Sequence, residues 1–227
     1  MGEAHASLAV EAHVGVEQIT VKLELHDISQ ALYQRMLNAR PALNETTIPE
    51  AILAYMEEEG LEDVYYKDPE LSFDNASRTV KASFTLAGRG LVDFSYNRTT
   101  MARTYEVEAG WRKADVEVRE GGRVLLKLNF SSYFGLPLGK WQVVGYGGRE
   151  ALFLNSTTED ELDPVWYFVL PKGARLVRAS GDKFTFELPA TFMDKFLASP
   201  FWPFLAVVAA ILVAISYRKA AVRLVRP

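Results

Sequence analysis

The sequence predicts a mainly β (α+β) fold, in which an antiparallel β-rich extracytoplasmic domain with two N-terminal helices precedes one C-terminal transmembrane helix. Three observations predict it. From Glu62 to Leu188 short strand-like runs alternate with clusters of turn residues. Two early segments carry apolar residues at helical spacing. Near the C-terminus, 22 consecutive residues between Lys195 and Arg218 carry no charge.

The first element alternates apolar and polar residues from Ala6 to Leu25, and the phase changes partway. Ala6, Leu8, Val10 and Ala12 are apolar at even positions, Ile19, Val21, Leu23 and Leu25 at odd ones. Two strands joined by a turn at Val14-Gly15-Val16-Glu17 account for the change, setting Ala12 opposite Ile19 and Leu8 opposite Leu23. A bulged single strand is the alternative.

Two helices follow. Asp27 to Asn38 aligns Ile28, Ala31, Leu32 and Met36, and Thr47 to Glu59 opens with Thr47 and Glu50 at capping-box spacing and closes on Gly60.

Strands are then expected at Asp63 to Tyr66, Leu71 to Phe73, Thr79 to Leu86, Leu91 to Tyr96, Thr104 to Ala109 and Ala114 to Arg119. Further ones are expected at Arg123 to Phe130, Trp141 to Tyr146, Ala151 to Leu154, Val165 to Leu170, Ala174 to Ala179 and Lys183 to Leu188. The turns between them include Asp68-Pro69, Gly88-Arg89-Gly90 and Ser180-Gly181-Asp182. Connections this short imply antiparallel hairpins, stacked as a β-sandwich, because parallel neighbours need long crossovers.

The uncharged run spans roughly 33 Å as a helix, enough for a hydrocarbon core of about 30 Å. Phe196, Phe201, Trp202 and Phe204 form an aromatic belt on one side, and Tyr217 marks the other. Up to position 195 there are 21 basic and 29 acidic residues, leaving −8. The tail adds four basic residues, Arg218, Lys219, Arg223 and Arg226, and no acid. The positive-inside rule therefore orients the chain in a plasma membrane, with residues 1–195 outside, 196–217 spanning and 218–227 cytoplasmic. The first thirty residues hold no apolar signal region, which implies a removed leader or a start codon assigned late.

Five of the six asparagines head an Asn-X-Ser/Thr triplet, at Asn44, Asn75, Asn97, Asn129 and Asn155; only Asn38 does not. Such a set marks a chain shaped to accept N-glycans, which sit on extracytoplasmic surfaces. Asn75, Asn97 and Asn155 fall at predicted turns, whereas Asn129 falls at a strand end. The absence of cysteine points away from animal and plant secreted domains and towards a prokaryotic, preferably archaeal, envelope. It also excludes thiol chemistry and cysteine-held metals, and the acidic domain excludes nucleic-acid binding.

Catalytic candidates are sparse. His5 faces His26 across the expected hairpin and, with Glu11 and His13 on the same polar face, offers a two-histidine start to a metal site. No Gly-X-Ser-X-Gly motif supports a serine hydrolase. The carboxylate runs Glu57 to Asp63 and Glu159 to Asp163 read as solvated charge, and the second lacks the glycine and spacing of a calcium loop. Gly145-Tyr146-Gly147-Gly148 lacks the Gly-Lys-Ser/Thr of a phosphate loop and reads as a turn. No cofactor is indicated.

Tyr133, Phe134, Trp141, Tyr146, Trp166, Tyr167 and Phe168 are concentrated between 130 and 170, either as a binding surface or as sheet core. In the membrane run, Ala206, Ala210 and Ala214 recur every four residues, a spacing that lets another helix approach. The expected function is that of a membrane-anchored surface glycoprotein with an interaction or structural role, as an envelope component or an accessory subunit with a protein partner. The alternative is a membrane-tethered hydrolase using carboxylates.

Overall fold

The computed structural model describes residues 6–40, 42–97, 102–120, 122–156, 162–192, 194–195, 204 and 207–214. The chain divides into two compact units, 1–95 with 104–188, and 96–103 with 189–227.

The structure is mainly β, with antiparallel sheets. Strands β1 (Ala6–Val14) and β2 (Gln18–His26) form the first hairpin. Its register differs from the expected one by two residues, so that Leu8 faces Leu25 and Ala12 faces Val21. A two-residue slip leaves every side chain on its own face, so alternation alone cannot detect it. The turn decides instead: Gly15 N–H donates to Gln18 O at 2.8 Å and closes a three-residue loop.

Helices α1 (Gln30–Asn38) and α2 (Thr47–Glu58) are inserted after this hairpin rather than heading the fold. Ser29, not Asp27, caps α1 by accepting from Leu32 N–H at 3.2 Å. The buried face of α1 is accordingly Tyr33 and Met36, while Ala31 is exposed. The capping box expected at Thr47 and Glu50 is absent; the Thr47 hydroxyl accepts from Asn44 N–H at 3.0 Å instead.

Strands β3 (Val64–Asp74), β4 (Thr79–Gly88), β5 (Val92–Asn97), β6 (Ala102–Glu108), β7 (Val116–Glu120) and β8 (Arg123–Leu128) follow. After the short helix α3 (Phe130–Phe134) come β9 (Gln142–Tyr146), β10 (Arg149–Asn155), β11 (Leu162–Val169), β12 (Arg175–Ser180) and β13 (Lys183–Leu188). The two strands expected at 63–66 and 71–73 are one, β3, in which Asp68 adopts φ +48° and the register shifts between Lys67 and Glu70. Pro69 has no N–H to give the ladder, so the strand bulges there instead of ending.

The largest sheet has seven strands in the order β3-β4-β2-β1-β11-β10-β9. Two antiparallel ribbons meet along β1 and β11, which run parallel from Ala6 beside Leu162 to His13 beside Val169. Hairpin reasoning did not foresee this seam, because residues 15–161 separate its two strands. A four-stranded sheet, β12-β13-β6-β5, and the β7-β8 ribbon complete the set.

One face of the seven-stranded sheet carries the core. Leu8, Leu23 and Leu25 share a small apolar void with Met36 of α1, Ile48 of α2, Val116 of β7 and Leu128 of β8. Trp166 and Phe168 of β11 pack against Trp111 at ring-centroid distances of 5.5 and 5.8 Å. Burying such rings contributes a few kcal/mol each (~25 cal/mol per Å2), which is what fixes the sheet's inward face.

Among the described residues no helix is long and apolar enough to cross a membrane. Residues 207–214 are helical, while 196–203, 205–206 and 215–217 of the expected span lie outside the described residues.

Candidate functional site

Among the described residues a cleft of about 690 Å3 opens in the larger unit. Tyr55 and Glu59, from the end of α2, form one wall, and Glu106 and Glu108 of β6 another. Arg178, Asp182 and Lys183, from the β12-β13 hairpin, complete it.

Gly110 and Trp111 also line it, and behind Asp182 lies Arg112, which belongs to the 3₁₀ turn Gly110–Lys113 and is fully buried. A buried guanidinium must find acceptors for its donors. Nε donates to Phe134 O at 3.1 Å, Nη1 to Ala109 O at 2.9 Å, and Nη2 to Leu136 O at 3.0 Å and Asp182 Oδ1 at 2.8 Å. The Trp141 ring lies 5.6 Å away as a cation-π partner. Lys113 Nζ reaches the other Asp182 oxygen at 2.6 Å.

Burial pushes the Asp182 carboxyl up, but Lys113 and Arg112 outweigh it and hold the group below its ordinary range. Burial lowers Arg112 in turn, against the pull of Asp182. Both stay charged near neutrality, so Asp182 acts as an acceptor and not as a general acid.

Within the cleft Lys183 Nζ lies 3.1 Å from Glu106 and 3.8 Å from Glu108, and the Glu106 carboxylate raises the Lys183 ammonium above its ordinary value. Glu108 also accepts from Gly110 N–H at 2.9 Å. Burial, aided by Glu59, raises the Tyr55 hydroxyl, keeping it a neutral donor. The arrangement suits recognition of a polar ligand by paired charges and hydroxyls.

On the open face of the large sheet, Glu11 accepts from the Tyr146 hydroxyl and meets His13 Nε2 at 3.0 Å. The Glu11 bond and burial push Tyr146 up to about 12. Tyr167 lies between Tyr146 and Phe153, with centroid distances of 4.7 and 4.8 Å.

The metal candidates do not come together. His5 lies outside the described residues, and its expected place opposite His26 is taken by Ser7. His26 Nδ1 instead meets Asp27 at 2.7 Å, and among the described residues no three His, Asp or Glu side chains are placed to hold a metal.

The aromatic concentration divides between core and open face, and on β11 the division follows strand parity. Tyr133, Phe134, Trp141, Trp166 and Phe168 are core, while Tyr146 and Tyr167 are half-buried on the open face. Gly147 and Gly148, at φ +56° and +74°, form the two-residue turn between β9 and β10. Residues 159–161 of the second carboxylate run lie outside the described residues, and Asp163 belongs to β11.

Of the asparagines expected to accept glycans, Asn44, Asn75 and Asn155 are exposed, Asn75 in the β3-β4 turn and Asn155 at the end of β10. Asn129 is half-buried beside α3. Asn97 ends β5, and Arg98 and Thr99 of its triplet lie outside the described residues. Ala210 and Ala214 are exposed on the 207–214 helix, whereas Ala206 lies outside the described residues.

Sequence reasoning missed the Arg112-Asp182 pair. Gly110-Trp111-Arg112-Lys113 reads as an ordinary basic turn, and Asp182 as hairpin punctuation. The chain matches no known protein family, no characterised protein and no solved structure.

Proposed function

We propose that the protein is a single-pass surface glycoprotein of a prokaryotic, preferably archaeal, envelope, serving an interaction or structural role, as an envelope component or an accessory subunit of a membrane complex. The observation that carries this reading is the agreement between two unrelated features of one chain. Five acceptor triplets precede an uncharged run of 22 residues, and only basic residues follow it. Exposure of Asn44, Asn75 and Asn155 supports it, since a glycan needs a solvent-facing amide. Residues 196–217 are the spanning helix, residues 1–195 face outward and the basic tail faces the cytoplasm. Ala206, Ala210 and Ala214 offer a close-packing stripe to a partner's helix.

The cleft is the natural place for recognition. Its carboxylates lend the rival hydrolase reading its support, because Glu106, Glu108 and Asp182 line one concavity. Each of those carboxylates is already engaged by a cation or a backbone amide, which favours binding over proton transfer.

Mild-detergent extraction of membranes, followed by identification of stoichiometric co-purifying proteins, tests the partner. A defined complex is expected. Recovery of the chain alone counts against the accessory-subunit reading, and turnover of a glycan or peptide substrate abolished by Glu106→Gln favours the hydrolase.

A further inference from the structure

We infer that the folded domain ranks its glycan acceptors, presenting Asn44 and withholding Asn129, an inference that rests on the surface-glycoprotein reading above. An acceptor triplet has to enter a transferase groove, and its amide nitrogen, a weak nucleophile, reacts as a base takes an Nδ2 proton; donors to the amide oxygen ease that proton loss by stabilising the negative charge that builds on the oxygen.

Asn44 satisfies both demands. It lies in the loop between α1 and α2 with Asn44 and Glu45 exposed. Its Oδ1 accepts from Thr46 N–H at 2.9 Å and from the Thr46 hydroxyl at 2.9 Å, so the triplet's own threonine serves its own asparagine. The Thr47 hydroxyl accepts from Asn44 N–H at 3.0 Å and holds the loop in this shape. The amide oxygen is thus engaged, and the amide nitrogen is the end left to react.

Asn129 satisfies neither demand. Its triplet enters α3, whose first residue, Phe130, is 2% exposed and packs against Trp166 at 6.3 Å. Drawing that triplet into a groove means pulling Phe130 from the core. The Ser131 hydroxyl donates to Asp115 Oδ2 at 3.0 Å, while Ser131 N–H donates to Asp115 Oδ1 at 2.8 Å. Asp115 therefore takes the hydroxyl that Asn129 would use.

Asn75 is intermediate. It is exposed and its Oδ1 accepts from buried Tyr33 at 2.7 Å, but Asp74 takes the Ser77 hydroxyl at 2.7 Å.

The transfer needs a glycosyl phosphate or pyrophosphate donor. The bond from Asn44 Nδ2 to the anomeric carbon forms as the anomeric C–O bond breaks. The phosphate leaves with the electron pair, and an Nδ2 proton passes to a base of the transferase.

Site-resolved glycopeptide mapping of the full chain purified from its membrane tests the ranking. Occupancy should be highest at Asn44 and lowest at Asn129. Thr47→Ala leaves the triplet intact and should lower occupancy at Asn44 by about fivefold, the weight of one hydrogen bond, without changing Asn75. Asp115→Ala, at an exposed position, should raise Asn129 by a similar factor. Equal occupancy at Asn44 and Asn129, or no response to either substitution, overturns the ranking. Sugar at none of the five sites instead removes the surface-glycoprotein reading, and the ranking with it.

Discussion

Asp182 holds the buried end of Arg112 at 2.8 Å while remaining 38% exposed itself, so one carboxylate joins the buried interior to the lining of the cleft. The same guanidinium ties together three backbone carbonyls, from Ala109, Phe134 and Leu136. Arg112→Met leaves those carbonyls short of donors and should destabilise the domain by about 3 to 5 kcal/mol in denaturant unfolding. Asp182→Asn should cost nearly as much, whereas Lys113→Met, which removes only the more exposed of the two cations on Asp182, should cost less than about 1 kcal/mol. A double-mutant cycle between Arg112 and Asp182 should be strongly non-additive.

In the smaller unit, Arg103 binds Asp194 at 2.7 Å, and Thr191 adds N–H and hydroxyl donors at 2.7 Å each. The Thr191 donors, then Arg103, depress the Asp194 carboxyl to about 2. A depressed carboxylate contributes stability that is present above its unfolded value and lost as pH falls through the folded one, here from about 4 to about 2. Amide exchange at Thr191 should therefore accelerate in that window. Arg103→Gln should move the acid transition upward.

Tyr146 behaves oppositely. Its hydroxyl is raised to about 12, first by its bond to Glu11 and then by burial. Its contribution is complete below about pH 10 and disappears as pH rises through about 12. Phenolate absorbance should show Tyr146 among the late-ionising tyrosines of the folded protein, alongside Tyr55, whose hydroxyl burial also raises. Glu11→Gln should bring the Tyr146 ionisation down towards the ordinary range.

Gly88 ends β4 at φ +141°, where an added Cβ would lie 2.2 Å from Asp63 O. Both the backbone angle and that contact require glycine. Gly88→Ala should cost more than about 2 kcal/mol, with the loss visible as a lower thermal midpoint.

Strands were legible in this sequence wherever alternation was clean, as in β1, β2 and β4. Their two-residue register was not, since a slip from Leu23 to Leu25 opposite Leu8 changes no face. The parallel seam between β1 and β11 left no local trace because its partners are remote in sequence. The candidate site was less legible still. Alternation identifies which residues turn inward, but Arg112 is buried from a 3₁₀ turn, where no periodicity marks the inside. Three of its four partners are backbone carbonyls, which every sequence contains. The Asn-X-Ser/Thr triplets, by contrast, were plain in the sequence, and the structure adds the surroundings of Asn44, Asn75, Asn129 and Asn155.

The most direct test of the account is protease accessibility on intact cells carrying an epitope at the C-terminus. Added protease should remove residues 1–195 and leave a short, membrane-retained fragment bearing the epitope. A full-length protein protected until the membrane is permeabilised, or one released by alkaline washing, would contradict it.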